Sequence, residues 1–188
     1  MIKVLIIGLG SIGYRHYRIL KKIKKIKDIK VISKRKLEFI KKIDFNKSSL
    51  LNYNPDYIII STETSNHFSN LKKVNSILKN KIILVEKPLF HKSRKKIKLR
   101  NKVFVGFNMR FKPILQFMKR KIKNDRDDNL LSAHVFCGSY LPDWRKNIHY
   151  SKSSSASKKS GGGVNNDLSH EVDNISWLFG DMNTKFSI

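Results

Sequence analysis

A chain of 188 residues, of which 40% are hydrophobic, is long enough for one domain with a packed core and part of a second. Its one cysteine, Cys137, excludes an intramolecular disulfide and a multi-cysteine metal site, and we predict no metal centre. The longest apolar runs fall well short of the roughly 20 residues that a membrane span needs, so we expect no membrane partner. These features favour a reducing, cytoplasmic setting.

The formal net charge of +26 raises the question of a nucleic-acid partner. Residues 21–36 hold eight lysines and Arg35, with Asp28 as the one acid. Nucleic-acid readers usually interleave arginine, glycine and aromatic residues with their charge, whereas lysines here are spread along the whole chain. The pattern favours solvated helix faces, which leaves a basic nucleic-acid-binding module as the least favoured function. The charge would still attract phosphorylated ligands over long range.

Strand and helix patterns alternate through the first two thirds of the chain. Continuous apolar runs predict strands, and apolar positions spaced by three and four predict helices. The predicted strands are residues 3–7, 29–33, 56–61, 82–85 and 103–107. One helix is predicted to start at Ser11, and three more to cover residues 37–43, 68–78 and 113–122. Strands that are apolar on both faces and alternate with helices indicate an α/β fold with a doubly wound parallel sheet.

A second, smaller part of the chain follows the polar segment 123–129, which we interpret as a domain boundary. A strand is predicted over residues 130–140, a loop rich in serine, lysine and glycine over residues 151–163, and a helix over residues 164–179. These patterns divide the chain into a first domain, residues 1–123, and a partial second domain, residues 124–188.

Three glycines, Gly8, Gly10 and Gly13, lie between the first strand and the first helix. In this context Gly8 permits a tight turn, Gly10 lets the main chain approach a pyrophosphate, and Gly13 allows close helix–strand packing. Ser11 and Ile12 complete the turn, whose free N–H groups would hold the anion. The motif predicts a dinucleotide site.

The end of the second strand discriminates between NAD and NADP. An acid is expected there to bind the ribose hydroxyls of NAD, but Ser33 and Arg35 occupy the position. Asp28 has nearly the right spacing, yet we expect it to precede the strand, at the wrong edge of the sheet. We therefore predict a preference for NADP, with NAD possible.

Two further strand ends supply candidate site residues. Thr62 follows the third strand and could contact the cofactor, whereas His67 is read as a residue that starts a helix. Lys87 follows the fourth strand, between Glu86 and Pro88, and points into the same crevice. A lysine there can hydrogen-bond a substrate hydroxyl and assist removal of its proton.

The last predicted helix carries four polar residues at spacings of three and four: Asp167, His170, Glu171 and Asn174. They would share one helix face, opposite the apolar positions. A histidine beside a carboxylate can move a hydroxyl proton during hydride transfer. The alternative, a solvated histidine and acids that complement the helix N-terminus, stays open on this helix alone.

The order of the motifs resembles the Gfo/Idh/MocA oxidoreductases, the family of glucose–fructose oxidoreductase and inositol dehydrogenase. The matching segments are residues 8–13, 62–67, 86–88, 108–113 and 161–163, followed by Asp167, His170 and Asp173. The resemblance implies a Rossmann domain that binds NAD or NADP, and an α+β second domain with an open sheet that closes over a sugar or polyol.

The resemblance also implies roles for single residues. Lys87 matches the catalytic lysine, His170 the catalytic histidine and Asp167 its acidic companion, and the Lys87–Pro88 bond is expected to be cis. We assign the remaining candidates to two sets. The cofactor set adds Glu86 and Pro88 to the residues already named, and the substrate set is Asn108, Arg110, Trp144 and Arg145. Residues 140–145 resemble a subgroup associated with surface-polysaccharide sugars.

The chain departs from the family pattern in spacing and in length. Asp167 and His170 are three residues apart, where four is usual in many members, while His170 and Asp173 keep the family spacing. The second domain would hold one strand and one helix, so we expect it to be incomplete and the chain truncated. An NAD(P)-dependent sugar or polyol dehydrogenase is the leading hypothesis, and a truncated dinucleotide-binding protein without turnover is the alternative. A homo-oligomer is possible if the second domain suffices.

Overall fold

The computed structural model describes residues 2–35, 38–93, 96–124, 132–144 and 149–180. The elements in chain order are β1 (Ile2–Ile7), α1 (Ser11–Leu20), β2 (Ile26–Ile32), α2 (Lys47–Tyr53), β3 (Tyr57–Ile60), α3 (His67–Ile77), β4 (Ile82–Val85), β5 (Lys102–Val105), α4 (Pro113–Asn124), α5 (Val164–Asp167) and α6 (Ser169–Phe179). Short 3₁₀ turns lie between several of them, including four within residues 141–160.

The five strands form one parallel sheet in the order β2-β1-β3-β4-β5. A single parallel bridge joins Val31 of β2 to Lys42, so the chain also touches the outer edge of β2 before it enters α2. Counting this bridge as a residual strand gives six members in the order 3-2-1-4-5-6, which is typical of dinucleotide-binding sheets. The predicted parallel α/β fold is confirmed.

Apolar side chains cover both faces of the sheet. On one face, Leu5 and Ile7 pack with Leu50 of α2 and Leu71 of α3. On the other face, residues of β1 and β3 pack with Leu20 of α1. Helices on both sides make the sheet doubly wound, as predicted. Each fully buried leucine or isoleucine contributes about 1.5–3 kcal/mol to folding, which fixes the strand ends that carry polar residues.

The turn after β1 requires glycine at two of its three positions. Gly8 has a φ of +94°, and a Cβ there would lie 2.7 Å from the main-chain nitrogen of Thr62. A Cβ on Gly13 would lie 2.1 Å from the carbonyl oxygen of Gly8. A Cβ on Gly10 would meet nothing within 4 Å. Space is therefore left open above Gly10, while Gly8 and Gly13 bring α1 against the sheet.

Two predictions around the second strand are wrong. Asp28 does not precede the strand but lies within β2, opposite Lys3 of β1. Residues 38–43 form turns and the bridge at Lys42 instead of a helix, while residue 37 lies outside the described residues. The reason is pairing, because the N–H of Val31 donates to Lys41 and its carbonyl accepts from Ile43. The helix α2, which was not predicted, follows Asn46, whose side chain caps it.

Two predictions in the second part are also wrong. Residues 132–140 form no strand, and residues 130 and 131 lie outside the described part of the chain. The described residues supply no neighbouring strand there, and an unpaired strand gains no ladder. The helix predicted over residues 164–179 is broken at Leu168, with α5 before it and α6 after it. Since residues 125–131 are not described, the domain boundary stays a prediction.

Candidate active site

A groove of about 1050 Å³ lies along the carboxyl ends of β1, β2 and β3. Its walls include Gly8, Gly10, Ser11, Ile12, Ser33, Lys34, Arg35, Asp44, Thr62, Trp144 and Ser154. Parallel sheets bind ligands at this edge, where the helix that follows the glycine turn presents its free N–H groups. The open space above Gly10 fits a pyrophosphate that approaches the main chain. Gly13, Glu86 and Pro88 lie outside the walls of the groove.

The outer end of the groove carries the cationic side chains of Lys34 and Arg35 and the acidic side chain of Asp44. Ser33 and Arg35 line it beyond β2, and the hydroxyl of Ser33 accepts a hydrogen bond from the N–H of Arg35 at 3.1 Å. Asp44, which the sequence analysis did not select, lines the same cavity after the bridge at Lys42. The charge at this end is therefore mixed, and it could hold a phosphate or a ribose hydroxyl.

The Glu86–Lys87–Pro88 turn closes the end of β4, and its Lys87–Pro88 bond is cis, as the resemblance implied. His67 begins α3 and is 1% exposed. Its ring nitrogens lie 3.0 Å from the carbonyl oxygen of Pro88 and 3.1 Å from that of Thr62. Buried His67 thus links the segment after β3 to the turn after β4 through these two contacts.

Lys87 reaches the second part of the chain. Its Nζ donates to the main-chain oxygen of Asp167 at 2.6 Å. In an unbroken helix that oxygen would accept from the N–H of Glu171, but this N–H donates to Leu168 instead. The break at Leu168 therefore leaves the carbonyl of Asp167 available to Lys87.

The Asp167 carboxylate holds the loop that precedes it. One oxygen accepts from the hydroxyl of Ser155 at 3.0 Å, and the other accepts from the N–H of Gly163 at 3.1 Å. Through these bonds Asp167 fixes the glycine-rich loop with its side chain and Lys87 with its main chain.

His170, near the start of α6, lies close enough to Lys87 to feel its charge. Burial lowers the pKa of His170 from its ordinary value of 6.5, and the charge of Lys87 lowers it further, against smaller opposing effects of Glu171, Asp173 and Glu86. Its Nδ1 is buried with no hydrogen-bond partner among the described residues, and its ring lies edge-on to Phe107. A neutral imidazole at this place can accept a proton.

Of the four residues assigned to substrate, the three that the structure describes lie in different surroundings. Asn108 is exposed on a 3₁₀ turn. Arg110 binds Asp173 of α6 through two hydrogen bonds of 2.7 and 2.5 Å, which ties that turn to α6. Trp144 lines the dinucleotide groove. Arg145 lies outside the described residues.

Sequence reasoning missed His16 and underrated Asp173. The Nε2 of His16 lies 2.6 Å from Oε1 of Glu86, and Asp173 is 8% exposed and paired with Arg110. A signal for His16 was present, because it falls three residues after Gly13 and four before Leu20, the two buried positions of α1. Residues at such spacing share a helix face.

The parallel sheet, the glycine turn and the groove above it are typical of a dinucleotide-binding α/β protein. The sequence profile of the oxidoreductase family with an NAD-binding Rossmann fold, Gfo/Idh/MocA, matches residues 2–100, which is more than half of the chain. The chain belongs to this family. A comparison with curated proteins gives no match.

Solved structures share the fold at low sequence identity. The WlbA dehydrogenase of Chromobacterium violaceum, solved with NADH and UDP-GlcNAcA, is 17% identical with a TM-score of 0.72, over 95% of this chain and 55% of its own. The WlbA dehydrogenase of Bordetella pertussis, with the same ligands, gives 18% and 0.71, over 95% and 58%. The scyllo-inositol dehydrogenase of Lactobacillus casei gives 19% and 0.56, over 67% and 42%.

The chain spans roughly half the length of these structures. Across its described residues, no helix is long and apolar enough to cross a bilayer. Within those same ranges, no three histidine, cysteine, aspartate or glutamate residues cluster closely enough to hold a metal ion.

Proposed function

We propose that the chain is an NAD(P)-dependent oxidoreductase that transfers a hydride between the nicotinamide and a carbinol carbon of a sugar, polyol or sugar derivative. The observation that carries the proposal is the hydrogen bond of Lys87, at the sheet edge that also forms the dinucleotide groove, to the Asp167 carbonyl three residues before His170, whose pKa the charge of Lys87 lowers. A nicotinamide cofactor, when bound, supplies the hydride chemistry. The residues around the groove supply binding and proton transfer.

The proposed roles follow from the contacts. The turn formed by Gly8, Gly10 and the start of α1 holds the pyrophosphate. His170 accepts the proton of the substrate hydroxyl, because its lowered pKa keeps the ring neutral near pH 7. Lys87 donates a hydrogen bond to the same hydroxyl oxygen, and the Asp167 carbonyl orients its ammonium group.

Substrate selection is proposed to involve the residues that the sequence assigns to substrate. Asn108 and Arg145 are the remaining polar candidates, while Arg110 supports the site through Asp173. The WlbA structures contain UDP-GlcNAcA, and the net charge of +26 suits a phosphorylated ligand. A nucleotide-linked sugar acid is therefore one substrate to test beside free sugars and polyols. A cytoplasmic setting, where both substrate classes occur, completes this proposal.

The preferred cofactor is proposed to be NADP. Ser33 and Arg35 line the outer end of the groove, where a 2′-phosphate would accept from the hydroxyl and the guanidinium. NAD is the second candidate, favoured by Asp44 in the same cavity and by the NADH that two similar structures contain.

Fluorescence titration of the 188-residue chain with NADPH and NADH tests the binding half of this proposal. Tighter binding of NADPH is expected, and Arg35→Gln should weaken NADPH about tenfold or more while leaving NADH nearly unchanged, since a charge-assisted hydrogen bond contributes about 1.5–3 kcal/mol. Asp44→Asn is the matched control, because it should weaken NADH instead. Equal loss of both nucleotides in Arg35→Gln would contradict the NADP preference.

A panel of sugars, polyols and UDP-sugars, followed by absorbance of the reduced nicotinamide, tests turnover. Lys87→Met and His170→Asn should retain nucleotide binding and lose turnover. Nucleotide binding without turnover of any substrate by the wild-type chain would instead support the alternative, a dinucleotide-binding protein that lacks catalysis.

A further inference from the structure

We propose that His16 is a positioning residue that holds Glu86, and through it Lys87, at a fixed place relative to the dinucleotide-binding helix α1. The proposal rests on the proposed function only in naming Lys87 as catalytic. His16 and Glu86 are 70 residues apart in sequence, and their side chains meet with Nε2 and Oε1 2.6 Å apart.

Glu86 is held on three sides. Its main-chain N–H donates to Ile60 of β3 at 2.9 Å, which fixes the start of the turn. One carboxylate oxygen contacts His16, and the other faces Gly106, where an added Cβ would lie 3.1 Å from it. The side chains of His16 and Glu86 are 23% and 16% exposed, so the pair is largely shielded from solvent.

The contact between His16 and Glu86 joins elements that belong to non-adjacent strands. Helix α1 connects β1 to β2, whereas Glu86 follows β4, which is separated from β1 by β3. The same helix begins at Ser11, in the wall of the dinucleotide groove. His16 is thus a side-chain link between the helix that would hold the cofactor pyrophosphate and the turn that carries Lys87.

A surface ion pair would add only about 0–1 kcal/mol to stability and would leave Lys87 unaffected. A positioning role predicts a local effect at Lys87 that depends on a hydrogen bond from residue 16. Glutamine places its amide nitrogen near the position of the histidine Nε2 and can donate to Glu86, whereas phenylalanine fills the space of the ring without a donor.

The experiment is acetylation of the full chain by an amine-reactive ester, with the rate at Lys87 measured by peptide mass spectrometry relative to exposed Lys79. His16→Phe should raise the relative rate at Lys87 several-fold, and His16→Gln should leave it at the wild-type value. His149→Phe is the matched control, because His149 is exposed and lies far along the chain from this turn.

Glu86→Ala breaks the contact from the other side and should raise the rate at Lys87 to the same extent. The double variant His16→Phe/Glu86→Ala should react no faster than either single variant, since both remove one interaction. The proposal would be overturned by a wild-type acetylation rate at Lys87 in folded His16→Phe. It would also be overturned if the effects of the two single substitutions on that rate added in the double variant. If His16→Phe does not fold, Glu86→Ala and His16→Gln decide the question.

No cofactor or substrate is present during acetylation, so the result is separate from the proposed function. A raised rate at Lys87 in a chain that binds no nucleotide would support the link and reject the dehydrogenase. Nucleotide binding and turnover by the wild-type chain, with an unchanged acetylation rate at Lys87 in His16→Phe, would support the dehydrogenase and reject the link.

Discussion

His170 shows how burial and a neighbouring charge set the protonation of a side chain. The Lys87 ammonium and the surrounding protein both disfavour a second positive charge on the imidazole, so His170 stays neutral at lower pH than an exposed histidine. Because the folded-state pKa is the lower one, the unfolded chain binds the proton first as the pH falls. The contribution of His170 to stability is therefore present above pH 6.5 and is lost as the pH falls through the folded-state pKa.

An NMR titration of the His170 ring tests this environment without requiring turnover. We expect a midpoint below 6.5, and an upward shift in Lys87→Met because one of the two lowering influences is removed. Glu86→Gln should shift the midpoint further down, since the Glu86 charge acts in the raising direction. His170→Asn assigns the resonance. A midpoint at or above 6.5, or one that Lys87→Met leaves in place, would contradict the arrangement.

At the scale of residues, the sequence selected candidate site residues, but it did not predict the contacts that they make. Lys87 and His170 were selected from motif order, yet the link through the Asp167 carbonyl depends on a helix break that no local pattern signalled. His67 was read only as the start of a helix, since its two carbonyl partners belong to other elements. Contacts between distant segments are set by packing, which single-residue preferences do not encode.

At the scale of elements, the glycines of the turn after β1 differ in why they are needed: one for packing, another for a ligand. Gly13 allows α1 to approach β1 and β3, because its missing Cβ leaves room for the Gly8 carbonyl and the Ser61 hydroxyl. That hydroxyl in turn donates to the Gly8 carbonyl at 2.8 Å. Gly10 meets no such neighbour, so only a ligand would compete with a side chain there.

Two alanine substitutions should therefore behave differently. Gly13→Ala is expected to lower the free energy of unfolding by about 1–3 kcal/mol, because its Cβ overpacks the helix–sheet contact. Gly10→Ala should keep the wild-type stability, with loss of nucleotide affinity because its methyl group occupies the pyrophosphate position. Urea unfolding and NADPH titration measure the two effects. Wild-type affinity in Gly10→Ala would place the nucleotide elsewhere.

Elements were predictable where the pattern lies within the segment itself, as in a strand whose two buried faces give a continuous apolar run. Strand β4 has the predicted bounds, and α1 begins at the predicted Ser11. The segment 38–43 was misread because Phe39, Ile40 and Ile43 have helical spacing, yet its main chain pairs with Val31. The helix α2 was missed because its first turn is polar and the cap at Asn46 is its main local mark.

At the scale of the whole molecule, the charge of +26 acts on every anionic ligand. Long-range attraction of this kind weakens as the Debye length falls from about 10 Å at 0.1 M salt to about 3 Å at 1 M. Specific contacts inside the groove are screened less. Salt dependence therefore distinguishes general attraction from recognition.

Nucleotide titrations at low and high salt should show a steeper loss of affinity for NADPH than for NADH, since the 2′-phosphate adds negative charge. The preference for NADPH should persist at high salt if Arg35 contacts that phosphate. Duplex DNA added as a competitor should not displace NADPH at high salt. Binding of duplex DNA that is strong at low salt, falls steeply as salt rises and is not competed away by NADPH would support the nucleic-acid-binding alternative.

The two apolar clusters of the described residues contain no side chain beyond Val103. The segment that carries His170 is joined to the sheet by polar contacts, chiefly Lys87 with Asp167 and Arg110 with Asp173. We therefore expect substitutions in that segment to leave the two apolar clusters of the sheet unchanged. Of the described groove walls, only Trp144 and Ser154 come from beyond the sheet, so changes elsewhere in the histidine-bearing segment can alter the surroundings of His170 while the glycine turn stays as it is.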